Sequence, residues 1–436
     1  MLKTVLTELR RSLSRKAAAG GPATDPLEAW RTAFVSAGAE DRQALLKQLD
    51  AAIATEPQRK QGWTLRGDWQ LRLGRLQEAE QDYRRALQID PMSPSAHEGL
   101  GLVLLQTRRL DEAYLHFELA HKVQPMNADV LTHWGLVALE MGNLSDAHAK
   151  FERAVERDVR NPHAWHNLGL VETKRGRTQQ GIECLQRAID LKPDHGLAYS
   201  NIALAYRDAE RLEDAVAAAR RAVELKADNA RVWVVLGDVL VDAGQFDEAD
   251  RALQQAVQLG PQIAAPQIAL GKLYTADGRF ADSERAYRQA LSLAPGDPEA
   301  EGGLGQLELL QGRFAEGWDH YEARKRAASA PVRSFPFAEW AGEDLSGRTL
   351  LVHAEQGLGD ILLFASCLPA VIARAGHVVV ETHPRLARLL GRSFPSATIV
   401  GRDVGQPGLD WLHGLPTIER HIAIGSLPRL LRRALA

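Results

Sequence analysis

Polar and glycine residues that could bind a ligand are concentrated in one stretch near the carboxyl end of the sequence, residues 353–360. This stretch joins an apolar segment typical of a β-strand to a segment with the spacing of an α-helix. Glycines at such a junction let backbone amides approach a ligand where the helix N-terminus is positive. The predicted substrate or phosphate loop consists of His353, Glu355, Gln356, Gly357 and Gly359.

Asp360 follows this loop directly and has two interpretations. A carboxylate can act as a general base if it lies within hydrogen-bond distance of a substrate hydroxyl. An aspartate is also a favoured helix N-cap, because its side chain accepts hydrogen bonds from the first backbone amides and its charge suits the helix dipole. The residues alone leave both roles open.

The elements that would position this loop alternate between strand and helix, which predicts a parallel sheet with right-handed crossovers. Residues 349–436 are therefore predicted to form a small α/β domain. Residues 332–348, whose first part contains a proline and aromatics without a helical period, are predicted to be a linker. The predicted strands are 349–353, 377–381, 397–400 and 421–424, and the predicted helices are 361–375 and 384–390.

Most of the preceding sequence follows a strict period. A pattern of 34 residues recurs eight times over residues 60–331, without insertion or deletion. Within each repeat the apolar residues follow helical spacing twice, so each repeat predicts a pair of helices that must stack on its neighbours. Place 27 of the first seven repeats is occupied by Ala86, Ala120, Ala154, Ala188, Ala222, Ala256 and Ala290.

The small residues at places 8, 20 and 27, the frequent aromatic at place 24 and the proline after the second helix resemble the tetratricopeptide repeat. This resemblance implies a mainly α fold, an α-solenoid superhelix, here followed by a small α/β Rossmann-like half-domain. The repeat array spans residues 26–331, of which 26–59 form a degenerate N-terminal cap. Arg324 replaces the usual alanine of the last repeat, which predicts that this repeat packs against something other than a further repeat.

The resemblance also implies a concave groove, lined by the first helix of each repeat, that binds peptides or protein partners. The sixth place of each repeat should face this groove, and in three successive repeats it is His133, Asn167 and Asn201. In related superhelices, asparagines at this place bond the backbone of an extended peptide, for which an amide side chain supplies both donors and an acceptor.

Three cations would extend this polar surface. Arg231 could hold a carboxylate as part of a carboxylate clamp, while Lys174 and Arg207 widen the patch. The clamp is incomplete, because His163 stands where a lysine belongs and Val235 where an arginine belongs. The alternative is that these side chains are simply polar residues on a solvated concave face.

Composition excludes some classes of protein. The 436 residues include 53 basic and 56 acidic side chains, a net charge of −3, so there is no dense basic face for nucleic acid. No apolar run reaches the length of a membrane span. Cys184 and Cys367 lie in different segments, which argues against a disulfide framework and fits a cytoplasmic location. No metal site and no cofactor are predicted.

The first 25 residues are predicted to form an amphipathic helix followed by a linker. Apolar residues at 2, 5, 6, 9 and 13 fall on one helical face, with basic residues between them, and residues 17–26 are small and rich in glycine and proline. Such a helix could bind a membrane surface, or it could lie on the repeats or fray.

A longer string around the glycine loop carries a second resemblance. His353-Ala-Glu-Gln-Gly-Leu-Gly-Asp360, followed by Leu-Pro at 368–369 and preceded by Trp-Ala-Gly at 340–342, is similar to the start of heptosyltransferase-like glycosyltransferases of the two-lobed GT-B fold. It is still more similar to bacterial proteins that join tetratricopeptide repeats to such a domain. The resemblance implies that Asp360 is the general base that takes a proton from an acceptor hydroxyl attacking a nucleotide-sugar.

Only part of such an enzyme is expected here. After residue 349 the sequence predicts one sheet, a partial N-terminal lobe, whereas the nucleotide is held mainly by the second lobe. Two functions therefore remain: a scaffold that binds protein partners, and a glycosyltransferase acting on a protein or glycan hydroxyl. A nucleotide-sugar is expected only if another chain supplies the missing lobe, and self-association or a second chain could cover the half-domain.

Overall fold

The structure, a computed structural model, describes residues 27, 30, 33–34, 37–327, 333–403 and 408–433. The chain forms two compact units, Met1–Leu225 and Lys226–Ala436. The amphipathic helix and linker predicted over residues 1–25 lie outside the described residues. Among the helices that are described, none combines the length and the apolar content that crossing a membrane requires.

The first unit consists of helices that follow the 34-residue period. After one helix of the predicted cap, each repeat supplies a helix of 13 residues and a helix of 14 residues, which confirms the predicted helix pairs. The helices are α1 (Ala39–Thr55), α2 (Lys60–Arg72), α3 (Leu76–Ile89), α4 (Pro94–Gln106), α5 (Leu110–Val123), α6 (Ala128–Glu140), α7 (Leu144–Arg157), α8 (Pro162–Lys174), α9 (Thr178–Leu191), α10 (Gly196–Asp208) and α11 (Leu212–Leu225).

Local chemistry sets the ends of these helices. Asn127 and Asn161 cap α6 and α8, because their side chains accept hydrogen bonds from the next backbone amides. The turn inside each repeat needs a residue in the left-handed region, for which glycine has no steric penalty. Gly74 meets this need with φ of 73°, whereas Arg108 and Glu210 adopt φ of 63° and 59° at the same place of their repeats.

The small residues permit close helix packing around buried aromatics. Tyr83 of α3 is fully buried. A Cβ atom at Gly67 would lie 2.8 Å from the Tyr83 ring, and one at Gly99, in the following repeat, would lie 2.3 Å from it. Since real Cβ contacts are not this short, both places require glycine. The aromatic therefore joins its own repeat to the next one.

The second unit continues the period and then changes architecture. The last repeat helix has only eight residues and continues as a 3-10 turn, Glu322–Arg326. The helices of the repeats are α12 (Ala230–Asp242), α13 (Phe246–Leu259), α14 (Ala264–Ala276), α15 (Phe280–Leu293), α16 (Pro298–Leu310) and α17 (Phe314–Tyr321).

A five-stranded sheet follows, with order β1-β5-β2-β3-β4 and all neighbours parallel. This confirms the predicted parallel sheet. The strands are β1 (Ala338–Glu339), β2 (Thr349–His353), β3 (His377–Thr382), β4 (Thr398–Gly401) and β5 (Arg420–Ala423). The helices between and after them are α18 (Leu358–Ala365), α19 (Leu368–Ile372), α20 (Pro384–Ser393) and α21 (Leu427–Leu431).

The two faces of the sheet have different cover. All four described α-helices of this domain contribute to the apolar core on one face, where Val352, Val380 and Ile422 are buried. On the opposite face, the extended residues 333–337 lie against His353. A Rossmann-like fold has helices on both faces. The finer description of this domain as a Rossmann-like half-domain therefore stays a prediction.

Two boundaries in this domain differ from the sequence-based expectation. Ala338 and Glu339, inside the predicted linker, form the edge strand β1, because their backbone pairs with β5. The helix predicted over residues 361–375 begins at Leu358 and is interrupted after Ala365. A second short helix starts there with Pro369 in its first turn, where the missing N–H costs nothing.

Candidate functional site

A groove in the first unit is formed by the first helices of three successive repeats. Helices α2, α4 and α6 contribute to a cavity of about 620 Å³. Its lining includes Leu65 and Gly99, which occupy the sixth place of the first two repeats, as expected for the concave face. The lining residues are Phe34, Leu65, Asp68, Trp69, Leu71, Arg72, Tyr83, Ser95, Glu98, Gly99, Leu102 and Asp129.

Aromatic and aliphatic side chains form the floor of this groove. Trp69 is 1% exposed and stacks on Phe34, with ring centroids 4.3 Å apart and planes 6° from parallel. Tyr83 donates a hydrogen bond of 2.8 Å from its hydroxyl to Asp68 Oδ1. Burial and the neighbouring Asp68 charge raise the pKa of Tyr83, so it remains a neutral donor. The floor is therefore rigid and apolar, with a polar edge.

The walls of the groove are acidic. Asp68, Glu98 and Asp129 line it, and Arg72 is the one cation among the described lining residues. Glu98 of the second repeat faces His133 of the third repeat, with 3.1 Å between His133 Nδ1 and Glu98 Oε1. Asp129 accepts a hydrogen bond of 3.1 Å from Asn161 Nδ2. These contacts hold the carboxylates at the groove in defined orientations.

The predicted groove residues of the next repeats lie on α6, α8 and α10. His133 is half-buried against Glu98, and Asn167 is 7% exposed. Asn201 Nδ2 lies 2.7 Å from His166 Nε2. The donor of Asn201 is therefore engaged with the neighbouring repeat, which leaves its carbonyl oxygen as the group that could accept a peptide N–H.

A group of histidines lies beside these asparagines. The ring of His195 is 5.1 Å from that of His163 and 4.9 Å from that of His166. Burial, then the charge of His163, lowers the pKa of His195 to about 4. His195 Nδ1 accepts a hydrogen bond from the amide of Ala198, so this imidazole is a neutral N-cap of α10. Across the described residues, no three His, Cys, Asp or Glu side chains are arranged to hold a metal ion.

The three predicted cations are at separate positions. Lys174 is exposed at the end of α8, and Arg207 pairs with Asp208 at the end of α10. Arg231 belongs to the second unit, where it is exposed in the first turn of α12 and its backbone amide bonds the cap Asn229. That these three cations form a single clamp therefore stays a prediction.

Sequence reasoning missed Asp68, Trp69 and Glu98. Apart from three cations, the predicted groove residues all lie at the sixth place of a repeat, which in the second repeat is Gly99. Places 5 and 9 of the same helices supply the acidic wall. The signal that could have identified Asp68 and Glu98 is helical spacing itself, since places 2, 5, 6, 9 and 13 share one face.

The second candidate site lies at the carboxyl end of β2. Gly357 caps helix α18, and Asp360 is exposed in its first turn. The interpretation of Asp360 as the N-cap is therefore wrong, because the glycine takes that position three residues earlier. An acidic side chain in the first turn still interacts favourably with the helix dipole. Asp360 thus points to solvent at the sheet edge where parallel sheets bind their ligands.

Two residues of the predicted phosphate loop are held by the last repeat. Arg324 Nη2 donates a hydrogen bond of 2.6 Å to Glu355 Oε1. Gln356 Nε2 donates one of 3.0 Å to the hydroxyl of Tyr321. Gly357 and Gly359 are exposed, with open space at Gly359 where a Cβ would lie. The loop is therefore fixed by its polar side chains, while its glycines remain accessible.

His353 is buried under the extended segment instead of facing solvent. Its ring is 4.9 Å from that of Phe335, and its Nε2 lies 3.3 Å from Nδ1 of His421. Burial, then the charge of Arg333, lowers the pKa of His353 well below its ordinary value. A neutral imidazole covered by a phenylalanine is better suited to packing than to binding a phosphate.

A charged cluster that the sequence did not indicate lies beside His353. Glu381 of β3 is fully buried and accepts hydrogen bonds of 2.9 Å from Arg333 and 3.1 Å from Arg402. Arg333 also donates to the carbonyl oxygen of Ala354. This cluster ties the extended segment to the sheet, because a buried carboxylate needs such partners.

Comparison with known families agrees with the repeat architecture. Residues 230–263 and 268–331 match models described as Tetratricopeptide repeat, so this is a tetratricopeptide-repeat protein. Residues 6–242, more than half of the chain, match the model described as Cilia and flagella-associated protein 70 C-terminal domain. The chain therefore belongs to that family.

Individual proteins match over parts of the chain. Protein FlbA of Caulobacter vibrioides (strain ATCC 19089 / CIP 103742 / CB 15) is 38% identical over 89 residues, which are 19% of this chain and 15% of FlbA. The chain thus spans less than a sixth of that relative. YrrB, a TPR protein with an unusual peptide-binding site, is 22% identical over 41% of this chain and 93% of its own, with a TM-score of 0.35. A tetratricopeptide repeat protein from Parabacteroides merdae ATCC 43184 is 13% identical over 57% of this chain and 98% of its own, with a TM-score of 0.48.

Proposed function

We propose that this chain is a cytoplasmic scaffold that binds a segment of a partner protein in the groove of its N-terminal repeats. The observation that carries the proposal is the cavity of about 620 Å³ between α2, α4 and α6. Cavities of roughly 300–1,000 Å³ with an apolar floor and a few fixed polar groups are typical of binding sites. Cys184 and Cys367 are both free, which is compatible with a reducing compartment.

The groove offers the two kinds of group that hold a peptide. Leu71 and Leu102, which are half-buried, supply an apolar surface that can hold a side-chain anchor, and the buried Trp69 supports it from below. Asn167 and Asn201, on the following repeats, supply amide groups that can pair with the backbone of an extended chain. We therefore propose that the anchor pocket sets the register of the bound segment and that the two asparagines hold its continuation.

A peptide-library capture with the full chain tests this function. Leu102→Glu places a charge on the apolar floor, and Asn167→Ala with Asn201→Ala removes the amide groups. Both variants should lose captured peptides, whereas Gln186→Ala, an exposed polar residue on the second helix α9, should not. If all variants capture the same peptides equally well, the groove is not the binding site.

A second candidate function is glycosyl transfer with Asp360 as general base. One observation favours it: Asp360 is exposed in the first turn of a helix that starts at the carboxyl end of a parallel strand. The contacts of Glu355 and Gln356 with the last repeat oppose it, because they remove two polar groups from the loop. We propose that this domain serves the scaffold as a rigid structural domain.

Calorimetry with uridine diphosphate and adenosine diphosphate distinguishes the two functions. We expect no saturable heat for the chain alone, since the second lobe would hold most of the nucleotide. Micromolar binding that disappears in Asp360→Ala, but persists in the nearby exposed control Ser366→Ala, would show instead that the loop is a working nucleotide-sugar site.

A further inference from the structure

The groove of the N-terminal repeats is selective by charge as well as by shape. Its described walls carry Asp68, Glu98 and Asp129 against the single cation Arg72. Its accessible apolar surface comes from Leu71 and Leu102, which are half-buried, above the fully covered Leu65. A ligand that complements this surface has an apolar face flanked by several positive charges. This inference rests on the proposed function, because it names the ligand of the same groove.

One segment of this chain has that chemistry. In the sequence of residues 2–16 the apolar residues recur with helical spacing, and five cations accompany the one acidic residue Glu8. The cations are Lys3, Arg10, Arg11, Arg15 and Lys16, and the apolar residues are Leu2, Val5, Leu6, Leu9 and Leu13. The positive charge of this segment complements the acidic walls of the groove, and its apolar residues complement the apolar floor.

The attachment point of this segment lies at the groove. Leu27 is buried in the same apolar cluster as Phe34, Leu65 and Trp69, and these three residues line the cavity. Residues 17–26 connect Leu27 to the cationic segment, and ten residues span at most about 35 Å when extended. The segment can therefore reach the groove from this tether.

The tether makes even weak intrinsic binding effective. A connection of this length gives an effective concentration on the order of 1 mM. Against a dissociation constant of about 100 μM, this concentration leaves the groove open in only about 10% of molecules. A partner protein would then need to compete with the segment, and its apparent affinity would fall by about tenfold.

We propose that residues 2–16 bind in cis in the groove formed by α2, α4 and α6, and that they act as an internal competitor for basic, amphipathic segments of partner proteins. The segment supplies apolar contacts to the floor and cations to the acidic walls. A partner that binds more tightly, or that engages the segment itself, opens the groove.

Fluorescence anisotropy with a labelled peptide of residues 1–16 tests this proposal on the full chain. Reversing the charges of the native segment, with Arg10→Glu, Arg11→Glu and Arg15→Glu, should release it from the groove. The labelled peptide should then bind about tenfold more tightly than it binds the unaltered chain. Arg157→Glu, an exposed charge reversal on the second helix α7, is the matched control and should change nothing.

Groove variants show where the peptide binds. Glu98→Gln with Asp129→Asn, introduced into the charge-reversed chain, should weaken the peptide about fivefold and reduce its dependence on salt. These substitutions keep shape and hydrogen-bonding capacity, so the melting temperature should stay the same. A scrambled peptide of the same composition should bind poorly, because its apolar face is broken.

Two results would overturn the proposal: equal peptide affinity for the native and charge-reversed chains, or peptide binding that ignores the groove variants. A lower melting temperature after charge reversal is expected, because a bound segment stabilises the folded chain. If library peptides bind the groove but the peptide of residues 1–16 does not, the proposed function stands and this inference fails. If neither binds, both fail.

Discussion

Arg324 donates a hydrogen bond of 2.6 Å to Glu355, and this contact joins the last repeat to the first loop of the α/β domain. Arg324 occupies the place at which seven preceding repeats have alanine. It also bonds Glu322 and Ser426, so one guanidinium connects three parts of the second unit. The prediction that the last repeat packs against something other than a further repeat is thereby confirmed.

Arg324→Ala should destabilise the second unit although it restores the alanine of the other repeats. The substitution leaves Glu355, whose side chain is 11% exposed, without its cation. Removing one partner of a buried ion pair costs about 3–5 kcal/mol. Urea unfolding followed by circular dichroism measures the loss. Arg326→Ala is the control: it breaks the more exposed pair with Glu301 and should cost less than about 1 kcal/mol. Equal effects of the two variants would contradict the role assigned to Arg324.

Gly303→Ala should destabilise the chain, while Gly302→Ala should stabilise it. A Cβ at Gly303 would lie 2.4 Å from the ring of Tyr287, whereas one at Gly302 meets open space. The first change forces the ring to move and costs about 1–3 kcal/mol. The second replaces a helical glycine by the best helix former and gains about 0.5–1 kcal/mol. Thermal unfolding of both single variants tests the pair, and shifts of the same sign would refute the packing argument.

Arg108→Gly and Glu210→Gly should each stabilise the first unit. Both residues adopt the left-handed backbone conformation that glycine adopts at this place in six other repeats. The substitution relieves about 1–2 kcal/mol of backbone strain in the folded chain. This gain exceeds the stability that is lost because glycine raises the conformational entropy of the unfolded chain. The expected net gain in the free energy of unfolding is about 0.5–1 kcal/mol for each variant. Gly142→Ala, the reverse change at the same place, is the control and should lower stability.

Stability should fall as the pH drops below 6.5, in part because of His195. Burial and the charge of His163 lower the pKa of this imidazole from 6.5 to about 4. The unfolded chain therefore binds a proton between pH 6.5 and 4 that the folded chain does not bind, so the free energy of unfolding increases with pH in this window. His195→Asn keeps an N-cap acceptor but cannot be protonated.

Urea unfolding of the native chain and of His195→Asn at pH 7, 6 and 5 measures this contribution. The slope of stability against pH should decrease by up to about one proton, equivalent to about 1.4 kcal/mol per pH unit. An unchanged slope would mean that the titrating groups lie elsewhere, for example at His116, whose pKa burial also lowers to about 4.

The sequence by itself was sufficient for the repeats, because their signals are local. Proline, asparagine and left-handed glycine recur at set places, so both helices of each repeat could be located within a residue or two. The same holds for strands β2 to β4, whose apolar runs are continuous. The glycine loop and the exposed Asp360 at the carboxyl end of β2 were also predictable, since a glycine turn between strand and helix admits few arrangements.

Tertiary structure decided what depends on residues far apart in the chain. Edge strand β1 has only two residues and exists because Ala338 pairs with Arg420. The acidic groove arises because Asp68, Glu98 and Asp129 come from three repeats, and no single repeat contains that surface. Glu355, a predicted ligand group, accepts a hydrogen bond from Arg324, which stands 31 residues earlier and could not be identified as its partner from the sequence. A periodic sequence specifies its repeating unit through local contacts, whereas the chemistry of a groove or a domain junction depends on side chains that only folding brings together.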